Sequence, residues 1–166
     1  PHLDQLAAEG INFSDAHSPS GVCSPTRYAL LTGRYAWRSA LKKGVLNGAS
    51  PPLIERGRLT FPSMLRSRGY STAAIGKWHL GHEWPLKESS GKVTPGNIDW
   101  DQPAKYSALD AGFTYHFGLA RPAWAFMENG HVISEPTEAF DLSHIPSEII
   151  GGNNNRGFRQ PGFEFE

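Results

Sequence analysis

One stretch constrains this chain more than any other. Val22 to Arg34 reads Val-Cys-Ser-Pro-Thr-Arg-Tyr-Ala-Leu-Leu-Thr-Gly-Arg. Cys23 is the single cysteine of the chain, so no internal disulfide can form. Proline suits the first turn of a helix, because its fixed φ is helical and its missing N–H would have no partner there. Pro25 therefore predicts a short helix over Thr26 to Thr32, closed by Gly33 in the left-handed conformation. Cys23 falls at or just before the helix N-terminus, where unpaired N–H groups and the helix dipole favour negative charge. Arg27 lies one turn in. A unique thiol, a helix N-terminus and an arginine together make an anion site with a potential nucleophile in it. The plainer alternative is a small buried hydrophobe followed by a surface charge. A Cys-phosphatase loop does not fit, because the residues between Cys23 and Arg27 are too few to cradle a phosphate.

A second stretch carries polar chemistry. Thr60 to Arg68 predicts a helix with Thr60 as cap, Pro62 in its first turn and Leu65 facing inward, ended by Gly69. Tyr70 to Ile75 predicts a short strand of the kind buried in a parallel sheet. Helix, glycine and strand in this order form the unit of a covered α/β sheet. Gly76-Lys77-Trp78-His79-Leu80-Gly81 follows at the carboxyl end of that strand, where ligands gather in open α/β sheets. In an extended segment Lys77 and His79 would point to one side and Trp78 to the other, into packing. By itself, a polar loop with a structural histidine explains this segment equally well.

Taken together, the two segments resemble the type I sulfatases. Cys23-Ser24-Pro25-Thr26-Arg27 with Leu31-Thr32-Gly33-Arg34 is similar to the first signature of that family. Gly69-Tyr70 to Gly81 is similar to the second. Gly112 to Gly118 and the segment Phe126 to Val132 resemble further family segments less specifically. The resemblance implies an alkaline-phosphatase-like α/β/α sandwich with a mostly parallel central sheet. It implies that Cys23 is converted to formylglycine by a formylglycine-generating or radical maturation enzyme. Arg27, Lys77 and His79 then complete the catalytic group, with Lys77 on a sulfate oxygen and His79 on a hydroxyl of the hydrated aldehyde. A Ca²⁺ or Mg²⁺ ion is implied as well, with the modified Cys23 the one metal ligand assigned in this chain. Asp99 and Asp101 are read as solvated. Family members are several-fold longer, so an incomplete catalytic domain with little turnover of its own is expected. A periplasmic or secreted location is implied by resemblance alone.

The remaining sequence is less specific. Leu3, Leu6 and Ala7 repeat at helical spacing before Gly10, and Ile11 to Phe13 alternates like a short strand. Tyr35 to Arg58 reads as an irregular excursion. Residues 1–81 hold both motifs, and residues 82–166 read as loop-rich. Glu83 to Trp100 is polar, and Ala111 to Leu119 contains a candidate strand. A hairpin is expected near 125–136, turning at Asn129-Gly130. Gly151 to Gly162 reads as a mobile loop. Trp84, Arg121 and Trp124 are candidates for stacking on a sugar and binding a second anion, with fold anchoring as the alternative.

Composition narrows the function classes. Lys plus Arg and Asp plus Glu are equal at 16 each, which gives no case for nucleic acid or an anionic membrane. No run approaches the roughly 20 apolar residues needed to span a bilayer. The sequence favours a sulfuric ester hydrolase acting on a sulfated sugar. The rivals are a phosphonate or phosphate ester hydrolase of the same superfamily, a non-catalytic homologue that binds sulfated glycan, and a structural α/β domain.

Overall fold

The computed structural model describes residues 1–144 and 156–164. Among the described residues three α-helices come first, α1 (His2–Glu9), α2 (Cys23–Thr32) and α3 (Phe61–Arg66), with a short 3₁₀ helix at Ala36–Arg38 between the last two. Six strands follow: β1 (Ala73–Gly76), β2 (Tyr115–Ala120), β3 (Ala125–Glu128), β4 (His131–Val132), β5 (Glu138–Asp141) and β6 (Arg156–Arg159). Strands β1 to β4 form one mixed sheet in sequence order, and β5 with β6 forms a two-stranded sheet. β1 runs parallel to β2, while β2–β3 and β3–β4 are antiparallel. The class is α/β, with a partly parallel sheet.

Local chemistry accounts for the helix ends. Helix α2 ends on Gly33 at φ 67° and ψ 15°, the left-handed conformation that glycine adopts without a Cβ clash. Helix α3 begins with a reciprocal cap. The Thr60 hydroxyl accepts from the Ser63 amide at 3.2 Å, and the Ser63 hydroxyl accepts from the Thr60 amide at 2.9 Å. The β3–β4 turn places Asn129 at φ 48° and Gly130 at φ 90°, the two positive φ values of a tight hairpin turn.

Two apolar clusters hold these elements. The first joins Tyr28 and Leu31 of α2 to Leu53, Ile54, Trp78 and Leu80. The second joins Trp84, Ile98 and Trp100 to Ala120, Ala125 and Met127 of the β2–β3 hairpin. The segment expected to be a polar loop, Glu83 to Trp100, is therefore a core contributor. It is irregular in backbone, tied by single bridges such as Leu86–Ile98.

Several expectations are corrected. Ile11 to Phe13 forms no strand. A strand needs a ladder partner, and this segment has none among the described residues. Helix α1 has the predicted spacing but buries no residue. Strand β1 starts at Ala73 rather than Tyr70 and is not buried: Ile75 is 75% exposed, and among the described residues β1 pairs with β2 alone, at the edge of the sheet. Residues 151–155 of the expected mobile loop lie outside the described residues, whereas 156–159 form β6.

Candidate active site

The two motif peptides meet. Cys23 opens α2, which starts three residues before the predicted Thr26, and is a half-buried free thiol. Arg27, one turn along, donates from Nη1 to the backbone carbonyl of Lys77. Ser24 donates from Oγ to the carbonyl of His79 at 3.0 Å. The start of α2 is thus bonded to both ends of the Lys-Trp-His triplet that follows β1.

That triplet is not extended. His79 has φ 52°, a left-handed conformation uncommon outside glycine. The bend turns Trp78 inward, where its ring is 6% exposed and packs edge-on against Phe113. The Trp78 indole N–H donates to the Gly81 carbonyl at 2.9 Å. Gly81 itself sits at φ 80°, and a Cβ there would overlap the Pro51 carbonyl. Close backbone approach fixes the turn against the returning excursion.

The excursion from Tyr35 to Arg58 supplies a residue absent from the sequence-level candidates. His79 Nε2 lies 2.8 Å from the Leu46 carbonyl. A carbonyl oxygen only accepts, so this pairing assigns the proton of neutral His79 to Nε2 and leaves the lone pair on Nδ1. Nδ1 is buried and has no protein partner among the described residues. Burial depresses the His79 pKa, and the charges of Lys77, Arg27 and Arg121 press the same way. The Leu46 hydrogen bond opposes them. Three cations are therefore felt at one imidazole.

A cleft of about 490 Å³ lies along the carboxyl end of β1, lined by Lys77 and His79 together with Asn47, Arg121, Trp124 and Phe126. The Arg121 guanidinium carbon stands 4.3 Å from the centre of the Trp124 ring. Among the described residues no aspartate or glutamate lines this cleft. Of the residues singled out in the sequence, Lys77, His79, Arg121 and Trp124 share this space; Arg27 is bonded to the Lys77 carbonyl, and Cys23 is linked to the segment through its neighbour Ser24, which is bonded to the His79 carbonyl. Trp84 is not part of it. Its ring is 5% exposed, packed edge-on against Trp100, with its N–H donating to the Arg121 carbonyl at 2.8 Å. Trp84 anchors the fold beneath Arg121 and has no face to offer a sugar.

The family model for Sulfatase matches residues 1–116. The chain belongs to the sulfatase family. An N-acetylgalactosamine-6-O-sulfatase of Bacteroides thetaiotaomicron is 33% identical over 150 residues, covering 87% of this chain and 27% of that protein. Human steryl-sulfatase is 40% identical over 156 residues, covering 91% of this chain and 24% of that protein. This sulfatase chain thus spans about a quarter of the length of each of these two relatives. A solved Bacteroides thetaiotaomicron structure from work on the metabolism of multiple glycosaminoglycans superposes with TM-score 0.63 at 36% identity, over 81% of this chain and 26% of that one. The crystal structure of Ps i-CgsB superposes with TM-score 0.55 at 22% identity, a likeness of fold, over 80% of this chain and 31% of that one.

Among the described residues no group of three or more His, Cys, Asp or Glu side chains could hold a metal ion. Nor is any described helix long and apolar enough to cross a membrane.

Proposed function

We propose that the protein carrying this segment is a sulfuric ester hydrolase for a sulfated carbohydrate, with Cys23 converted to formylglycine. Residues 1–166 would be part of its catalytic domain, 1–81 carrying both motifs and 82–166 supplying the sugar side of the cleft. The observation that carries this reading is the bonding of the Cys23 turn to the Lys77–His79 segment, through Arg27 to the Lys77 carbonyl and Ser24 to the His79 carbonyl. The similarity to an N-acetylgalactosamine-6-O-sulfatase over 87% of the chain, and to a solved structure from work on glycosaminoglycan metabolism, supports a sulfated sugar as the substrate.

Sulfate-ester cleavage needs an oxygen nucleophile and strong neutralisation of developing negative charge. Hydrated formylglycine at position 23 supplies two hydroxyls on one carbon, one to attack sulfur and one whose deprotonation frees sulfate and restores the aldehyde. Arg27 lies one turn further along α2, and its fixed charge would offset the anion. Lys77 holds a sulfate oxygen as a compact point charge. His79 takes a proton at Nδ1, which its Leu46 bond leaves as the acceptor. The Trp124 ring offers an apolar face to the sugar, and Arg121 a second positive charge.

A Ca²⁺ or Mg²⁺ ion suits the hard oxygens of sulfate. Among the described residues the modified Cys23 is the one ligand assigned to it. The maturation enzyme is the implied protein partner, and a secreted or periplasmic location accords with the family.

Peptide mass across Cys23, after expression of the full-length protein with a maturation enzyme, tests the nucleophile. Replacing SH and H by a carbonyl oxygen lowers the mass by about 18 Da. An unshifted cysteine in an active enzyme would refute the formylglycine assignment.

A further inference from the structure

Ser24 stands beside the nucleophile, fully buried in the second position of α2. Its hydroxyl has one proton to give and two lone pairs. It gives the proton to the His79 carbonyl at 3.0 Å and accepts from the Leu46 amide at 3.2 Å. The Leu46 carbonyl in turn accepts from His79 Nε2 at 2.8 Å. Three hydrogen bonds therefore close a ring through Ser24, Leu46 and His79, holding the histidine by its backbone and by its imidazole.

His79 needs such holding. At φ 52° it occupies a conformation that persists only where its surroundings over-determine it. Lys77 sits two residues before it, outside the ring. The Leu46 carbonyl sets which imidazole nitrogen keeps the lone pair, and Ser24 sets where Leu46 lies.

We infer that Ser24 is a positioning residue of the active site, holding the His79 imidazole in register with position 23 through Leu46. The inference rests on the sulfatase reading. Alanine would leave a buried Leu46 N–H and a His79 carbonyl unpaired, and both groups belong to the segments that aim the imidazole. Small displacements of a catalytic group cost rate more than binding.

The test uses the full-length protein matured in cells, with formylglycine content measured by peptide mass and 4-nitrophenyl sulfate as probe. Ser24→Ala is expected to lower kcat about 10-fold at unchanged KM and equal formylglycine content. In a His79→Ala background the same change is expected to cost less than about twofold, because the group it positions is gone. Thr and Val have nearly one shape, so Ser24→Thr and Ser24→Val separate the hydroxyl from packing should the alanine variant fail to fold. The Thr variant is expected to exceed the Val variant at least about fivefold in kcat. Equal rates for Thr and Val, or an alanine loss of the same size with and without His79, overturn the inference. An inactive wild type instead defeats the sulfatase reading itself.

Discussion

The guanidinium of Arg27 is bonded to the backbone carbonyl of Lys77, fifty residues downstream. One side chain therefore ties the helix that opens at Cys23 to the Lys77–His79 segment and, in the proposed mechanism, also offsets negative charge at position 23. A lysine at 27 has a single ammonium and cannot do both. Arg27→Lys is expected to lower kcat on the order of 100-fold, the scale of losing a preorganised donor. The measurement is turnover per formylglycine, so that any maturation defect is separated out.

In the proposed mechanism His79 sets the acid limb of the rate. Its pKa is held below the ordinary value, first by burial and then by Lys77, Arg27 and Arg121. A base acts unprotonated, so a depressed pKa keeps it active at lower pH than a free histidine. The acid limb of kcat against pH is expected to have its midpoint below about 6.5. His79→Ala removes that limb and lowers kcat on the order of 10²- to 10⁴-fold. A midpoint at or above 6.5 would contradict the assignment.

A second histidine pair governs stability rather than rate. His82 and His116 are buried, with ring centres 6.4 Å apart and planes 23° from parallel. Burial, and secondarily the charge of His116, pushes the His82 pKa down to about 3, and burial lowers His116. The unfolded chain binds these protons near pH 6.5 and the native state does not. The stability of the neutral native form is thus complete above pH 6.5 and falls as pH drops from there toward 3. The slope is at most about 1.4 kcal/mol per pH unit for each proton taken up. Melting temperature of the full-length protein against pH should show the decline, and His82→Phe should flatten it.

Gly81 joins the second motif to the excursion loop. Its φ of 80° disfavours any side chain, and a Cβ would overlap the Pro51 carbonyl. Gly81→Ala is expected to destabilise the protein by about 1–3 kcal/mol. It should also lower turnover, because the displaced loop carries Leu46. A melting curve and a rate measurement on the same variant check both effects.

Arg121 and Trp124 line the cleft beyond His79. Arg121→Ala is expected to raise KM for a sulfated disaccharide about 10-fold, the scale of a charge-assisted hydrogen bond. KM for 4-nitrophenyl sulfate, which reaches no further than the sulfate position, should change less than about twofold on the same scale. Equal effects on both substrates would remove Arg121 from sugar recognition.

Much of the site is legible in sequence because it lies in two short peptides with strong local signals. Pro25 and Gly33 bracket α2, and the glycines around Lys77 mark a tight turn. Trp78 goes inward as its neighbours predict, although the bend at His79 replaces the expected extended path. Leu46 is not legible: it sits in a segment without periodicity, and it enters the site through a backbone carbonyl that every residue possesses. Ser24 is hidden for a related reason, since a motif position next to the nucleophile gives no sign that its hydroxyl reaches two other segments. The second core is missed because Trp84, Ile98 and Trp100 follow no helix or strand period. Their burial depends on the β2–β3 hairpin, far along the chain. Ile11 to Phe13 fails the other way: its alternation suits a strand, but pairing is a long-range property that local pattern does not carry.

The central claim is that position 23 performs sulfate-ester hydrolysis. Its most direct test is the rate of sulfate release from 4-nitrophenyl sulfate by the full-length, matured protein, beside its Cys23→Ala variant. Steady turnover by the wild type and none above background by the variant is the predicted result. Equal rates from the two proteins would contradict the account.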